Sequence, residues 1–390
     1  MSSSNTSPAN RPLEHHLPRV FLLDPVVLHS KKRALPHNYN LQAALQQLVQ
    51  QADALLHAKL VSVIEKTHLP ASEGKHDYLS LAPYWWPDST KPAGLPYIHR
   101  DGQINPEVSE IPDKPHLQRM IPDVKTLTLA YYFTDKETYA AKTVDFLHTW
   151  FLSEDMYMNP NLNHAHMIRG RDTGRAPGII DARGLSAIVD AIGFLWHTHL
   201  WTTQDQQGME SWFRRYLDWL LTSPLGREEA ATTNNHGTWY DMVTVSIALF
   251  LNDREMARDI LLASKTRRID RQIRADGSQT LELKRTLTWH HSLFNLQALF
   301  ALARLGEHVG IDLWNHTTRE GAHLQTALDY LLPAALNAQV WPYQQISPLK
   351  PEQIVGVLYQ AAEHYHEPSY LQAAQTILGQ DATTHLNNLL

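Results

Sequence analysis

The sequence predicts an all-α protein: an incomplete (α/α) toroid of antiparallel helix pairs, with long active-site loops and few strands. Three observations carry this expectation. From residue 123 onward apolar residues recur at three- and four-residue spacing almost without a break, the period of helices with a buried face. β-Branched residues seldom alternate with polar ones, as half-buried strands require. A helix–turn–helix pattern occurs three times, at 131–140, 249–257 and 364–373, with turns 114 to 118 residues apart. That repetition suits helix hairpins arranged in a ring.

Taken in order, residues 1–35 read as an irregular N-terminal segment, and 36–390 as a single toroidal domain. Leu41, Leu45, Leu48, Val49, Ala52, Leu55 and Leu56 mark one face of a first long helix. Residues 68–122 hold nine of the 22 prolines and the string Tyr84-Trp85-Trp86-Pro87, and read as a long loop region. Ordered loops of that length are usually functional. Helices are then expected over 123–133, 137–152, 184–200, 206–222, 240–252, 254–273, 292–305, 322–337, 351–364 and 368–379.

Composition excludes several functions. The net charge is −6 with 19% charged residues, which argues against a nucleic-acid partner. With no cysteine, disulfides, thiolate metal sites and cysteine nucleophiles are ruled out. No run approaches the roughly 18 apolar residues of a membrane span. The Ser/Asn/Pro-rich start, 1–11, lacks the apolar core of a signal peptide, so the chain as it stands predicts an intracellular protein.

Five stretches carry polar chemistry. Asn234-Asn235-His236-Gly237-Thr238-Trp239-Tyr240-Asp241 opens an apolar run, which places it at a helix N-terminus, where free N–H groups and the dipole favour an anion. The plainer alternative is a capping Asn234 and a core His236. Tyr84, Trp85 and Trp86 suit stacking on sugar rings, or else pin their loop to the body. Asn163, His164 and His166 run into Arg169, Arg171, Arg175 and Arg183, a basic cluster for anionic groups unless paired with Asp172 and Asp181. His164 and His166 have no carboxylates at a recognisable ligand spacing, so no metal is expected. Arg285, Trp289, His290 and His291 follow Asp276-Gly277-Ser278-Gln279, with Arg285 free for a ligand or paired with Glu282. Arg267, Arg268, Arg271 and Arg274 read as a solvated charged face.

Together, residues 78–88 (YLSLAPYWWPD), 100–107 (RDGQINPE), 234–240 (NNHGTWY) and 276–279 (DGSQ) resemble the alginate lyase superfamily, most closely polysaccharide lyase family 38 and more distantly family 5. The resemblance implies an α/α toroid that cleaves 1,4-linked uronic-acid polymers by β-elimination with no obligatory metal or cofactor. It also implies a secreted or periplasmic setting as the usual one. In it Asn235 and His236 match the pair that neutralises the uronate carboxylate, and Arg285 the catalytic-site arginine. Where the family pattern has its tyrosine base, this chain has His291; where it has a tyrosine and a glutamine, this chain has His164 and His166.

The expected catalytic set is therefore Asn235, His236 and Arg285 on the carboxylate, His291 as base and acid, and Tyr240 in reserve. The expected substrate contacts are Tyr84, Trp85, Trp86, Asn163, His164, His166, Arg171, Asn234, Trp289 and His290, and the partner is an anionic polysaccharide. Two rivals are an inactive uronate-binding relative and, with Asp181, Asp241 and Glu282 as candidate carboxylates, a glycoside hydrolase.

Overall fold

The computed structural model describes residues 17–390. The start at 1–11 lies outside the described residues. The segment expected to be irregular carries helix α1 (Pro25–Ala34), capped by Asp24, whose carboxylate accepts from the N–H groups of Val26 and Val27, with Pro25 in its first turn. It buries only Leu28, so no apolar stripe announces it. Helix α2 (Tyr39–Leu55) buries Leu41, Leu48 and Ala52, the face its periodicity predicts.

The proline-rich stretch forms β1 (Leu79–Leu81), β2 (Trp85–Trp86) and β3 (Ile98–His99) joined by irregular backbone. It ends earlier than expected, because α3 (Asp113–Thr134) begins at residue 113 and carries Pro122 in its interior. Next come α4 (Glu137–Leu147) and β4 (His164–Met167), then α5 (Leu185–Leu195), α6 (Thr203–Thr222) and α7 (Pro224–Ala231). After them run α8 (Asn235–Phe250), α9 (Arg254–Ser264), the single turn α10 (Asp270–Gln272) and α11 (Thr288–Glu307). The last three are α12 (Leu324–Ala335), α13 (Val355–His364) and α14 (Pro368–Leu378).

The three repeated turns join α3 to α4, α8 to α9 and α13 to α14. Each contains one left-handed residue that is not glycine: Asp135 (φ 56°), Asn252 (φ 61°) and His366 (φ 53°). Asn, Asp and His tolerate that conformation best among residues with a side chain. Helix α8 is buried on all sides from Tyr240 to Phe250 and packs against α5, α9 and α11, so the core is built around it.

Strands β1 and β4 pair in parallel, from Leu79 opposite His164 to Leu81 opposite Met167. Two residues, Ala165 and His166, thus face the single Ser80. His166 takes up the mismatch with φ 53°, a bulge that re-aims its side chain. Strands β2 and β3 pair antiparallel, Trp85 with His99. Among the described residues no helix is long and apolar enough to cross a membrane.

Candidate active site

The N-terminus of α8 supplies one wall of the site. Asn234 caps the helix, its side-chain oxygen accepting the His236 N–H at 3.2 Å. Gly237 is required here, since a Cβ would sit 2.3 Å from the Thr232 carbonyl oxygen and from an Arg268 nitrogen. Asn235 is buried and donates twice to Glu282, from its backbone N–H at 2.8 Å and from its amide at 2.7 Å. An amide NH₂ has two protons, so one stays available to a ligand. Burial pushes the Glu282 carboxyl up, against the opposing pull of Asn235, Arg285 and His236. The His236 side chain keeps 21% of its surface exposed, and its Nδ1 lies 2.6 Å from Oε1 of the buried Glu229.

The opposite wall is Arg285. Its Nε and Nη2 donate to Asp101 Oδ1 at 3.0 and 2.6 Å, and the Thr286 N–H donates to Asp101 Oδ2 at 2.9 Å. Burial pushes the Asp101 carboxyl up, but these donors outweigh it and hold it below the usual carboxylate range. Next to it Gly102 has φ +72°, and a Cβ there would stand 2.4 Å from Thr286 Oγ1. Only glycine lets the 98–105 loop close on Arg285 and Thr286 in this way. The Arg285 guanidinium lies 6.0 Å from the Tyr84 ring centre, and burial pushes that phenol up.

His291, in the first turn of α11, faces both walls. Burial and then the Arg285 charge push its imidazole down to about 3, with His236 adding to the shift and Asp101 opposing it. The ring is therefore neutral at neutral pH. Its Nε2 is buried without a hydrogen-bond partner. His291 thus feels the charges of Arg285 and His236, and Glu282 senses the same two.

Other expected site residues fall elsewhere. The Tyr240 hydroxyl donates to the Leu220 carbonyl at 2.8 Å, and burial pushes it up to about 12, which ties the side chain to the core below His236. Trp289 is fully buried and donates to the Leu331 carbonyl, which removes it from substrate contact. His290, one residue from His291 on the helix, lies by Lys350 and Glu352, away from Arg285. Trp85 is covered by the guanidinium groups of Arg171 and Arg175 at 5.0 and 5.5 Å, and Trp86 by Arg100 at 5.2 Å. These two tryptophans pin the loop, and Tyr84 is the aromatic turned to Arg285. Asn163 accepts from the Trp219 indole at 2.9 Å, His164 Nδ1 lies 3.3 Å from the Thr173 carbonyl, and Arg171 is 3.4 Å from Asp172.

Two pairings differ from expectation. Arg285 binds Asp101, not Glu282. Arg268 is not solvated: a π-helical turn, Lys265–Ile269, rotates it inward, where it is fully buried and binds Asp241 at 2.8 Å. Sequence reasoning gave no role to Glu229 or Asp101, and did not raise His99, which senses Asp101 and Arg285. Asp101 sits inside a quoted motif and could have been found. Glu229 is on α7, and nothing in its spacing ties it to His236. Among the described residues no group of three or more His, Asp or Glu could hold a metal ion.

A helical toroid with an arginine and two imidazoles in mutual electrostatic reach is compatible with a polysaccharide lyase. The Alginate lyase family model matches residues 62–341. An alginate lyase from Bacteroides ovatus superposes with a TM-score of 0.91 at 33% identity, over 96% of this chain and 99% of that one. Alginate lyase A1-III from Sphingomonas species A1 shares the fold, with a TM-score of 0.54 at 16% identity over 86% of this chain and 91% of its own. A single-residue variant of A1-III complexed with a tetrasaccharide gives 0.56 at 16% identity, over 87% and 92%. No curated protein matches the chain in sequence. The chain belongs to the alginate lyase family.

Proposed function

We propose that this lyase cleaves 1,4-linked uronate polymers of the alginate or glucuronan type by β-elimination, with Arg285, His236 and Asn235 on the substrate carboxylate and His291 as the base. The observation that carries this reading is the local geometry: Asn235 binds Glu282, three residues before Arg285, His236 beside it keeps an exposed edge, and His291 Nε2 is left without a partner. The proton on C5 is hardly acidic while the adjacent carboxylate keeps its full charge. Donors around that carboxylate stabilise the enolate-like state, each contributing about 3 kcal/mol in a comparable oxyanion site. The neutral His291 imidazole then takes the C5 proton, and the imidazolium so formed returns it to the 4-linked oxygen as the C4–O bond breaks. The incoming carboxylate offsets the Arg285 charge, which strengthens His291 as a base once substrate is bound.

A hydrolase needs two carboxyl groups roughly 5–9.5 Å apart and free to act. Asp181, Asp241 and Glu282 are each buried and hydrogen-bonded inside the protein, which counts against that rival. The low basicity of His291 favours one second reading, a relative that binds uronates without turning them over. Incubation with alginate, its two block types and glucuronan separates the two. A lyase releases products with the ultraviolet absorbance of a conjugated enol ether, and His291→Ala abolishes the signal. Binding with no such absorbance supports the second reading, and full activity in His291→Ala removes that residue from the mechanism.

A further inference from the structure

His166 belongs to a buried cluster that the proposed elimination does not use. Asp181 accepts four hydrogen bonds or ion pairs there. Lys114 Nζ lies 2.7 Å and His166 Nε2 3.1 Å from its Oδ1, while Ser80 Oγ donates to Oδ2 at 2.7 Å and the Tyr78 hydroxyl at 3.2 Å. Burial pushes the Asp181 carboxyl up, yet His166 and Lys114 outweigh it and hold it far below the usual carboxylate range. Asp181 is therefore an ionised acceptor, and the proton between it and His166 must sit on Nε2. Lys114 Nζ lies at 3.5 Å from Nε2, the limit of a hydrogen bond, whereas Asp181 Oδ1 is at 3.1 Å from Nε2 and at 2.7 Å from Nζ and is the acceptor for both. Burial disfavours a second proton on the ring, so Nδ1 keeps a lone pair.

The ring is also held in place. His166 is the left-handed residue of the β4 bulge, and its backbone N–H donates to Ser80 Oγ at 3.0 Å. Strained backbone that the surroundings over-determine is a mark of functional positions. The side chain keeps 8% of its surface exposed, the hydrogen bonds of the ring are made at Nε2 and not at Nδ1, and the ring senses the charge of His236.

From this geometry we infer that His166 is a specificity-determining residue whose Nδ1 accepts a hydrogen bond from a free hydroxyl of the bound uronate. A nitrogen that only accepts cannot serve a carboxylate or an ester oxygen. The lyase therefore prefers uronate polymers with free hydroxyls to the same polymers O-acetylated. A site built around a substrate hydroxyl rejects analogues that lack its proton.

The inference rests on the uronate-lyase reading, so its test includes a binding arm that needs no turnover. One uronate polymer is compared in its de-esterified and chemically O-acetylated forms, by initial rate and by calorimetric affinity of matched oligomers. Wild type is expected to favour the de-esterified form by about tenfold or more, the effect of leaving one acceptor unpaired. In His166→Gln, whose amide can donate as well as accept, that ratio falls toward one. His166→Leu loses affinity for the de-esterified form alone. A purely structural role would lower rate and affinity equally for both forms, and an unchanged ratio in folded His166→Gln overturns the inference. So does a wild-type ratio of one. Absent turnover with a retained binding ratio leaves the inference standing and defeats only the lyase reading.

Discussion

Glu229 Oε1 lies 2.6 Å from His236 Nδ1, and Glu229 itself is 1% exposed. The hydrogen bond fixes the ring so that Nε2 is the nitrogen left for the cleft. To grip a carboxylate, Nε2 must carry a proton while Nδ1 keeps the one it shares with Glu229. The buried Glu229 carboxyl is the partner that holds Nδ1 in place. The second oxygen of Glu229 has no partner, so His236 is the side chain that binds this carboxyl. Glu229→Gln keeps the shape and removes the charge. It is expected to lower kcat/KM by about 100-fold, the scale of losing one oxyanion donor, with KM rising. Steady-state kinetics on the preferred polymer check it, and an unchanged KM would assign Glu229 to packing alone.

The pH dependence of His291 has a definite sign. Its ordinary value is 6.5 and the fold pushes it down to about 3. Between those values the unfolded chain binds a proton that the folded protein refuses, so this residue's contribution to stability is complete above 6.5 and is lost as pH falls toward 3. Acid unfolding followed by circular dichroism should be shallower in His291→Gln than in wild type. The base form also persists in the free enzyme well below 6.5, so kcat/KM should show no acid limb centred there. A limb at 6.5 would mean that another group takes the proton.

What the sequence made legible divides along physical lines. Local signals held: Asn234 caps α8, the α2 stripe is buried, and the three turns fall where short polar residues permit a left-handed step. Signals needing a third dimension did not. Trp289 and His290 look like site residues beside His291, but a helix turns neighbours about 100° apart, and only His291 faces Arg285. Arg268 read as solvated because a regular helical period was assumed, and the π-helical turn broke that period. The carboxylates behind Asn235, His236 and Arg285 come from three separate segments, at 282, 229 and 101. No spacing rule links them.

Asp101 couples the aromatic loop to α11 and its approach through contacts to Arg285 and Thr286. Asp101→Asn removes the charge that orients the guanidinium and loosens the loop above it. KM is expected to rise about tenfold, the worth of one charge-assisted hydrogen bond, with faster hydrogen exchange over 98–105. Arg285→Lys keeps the charge but loses the planar fork, and kcat should fall about 100-fold. If Arg285→Lys retains wild-type kcat, the arginine contributes only long-range charge.

Asp241 separates a structural carboxylate from a catalytic one. It lies on α8, fully buried, and receives Arg268 Nε at 2.8 Å, Arg267 Nη2 at 2.7 Å and Ser264 Oγ at 3.1 Å. Arg268 in turn donates to the carbonyls of Ala230 and Thr232, just ahead of the segment that carries Asn235 and His236. Removing one partner leaves a buried guanidinium uncompensated, a loss of about 3–5 kcal/mol. Asp241→Asn should therefore lower the unfolding midpoint strongly in denaturant or heat, while activity per folded molecule, measured well below that midpoint, stays close to wild type. A variant that folds with its normal midpoint but releases no product would place Asp241 in the chemistry and revive a hydrolytic mechanism.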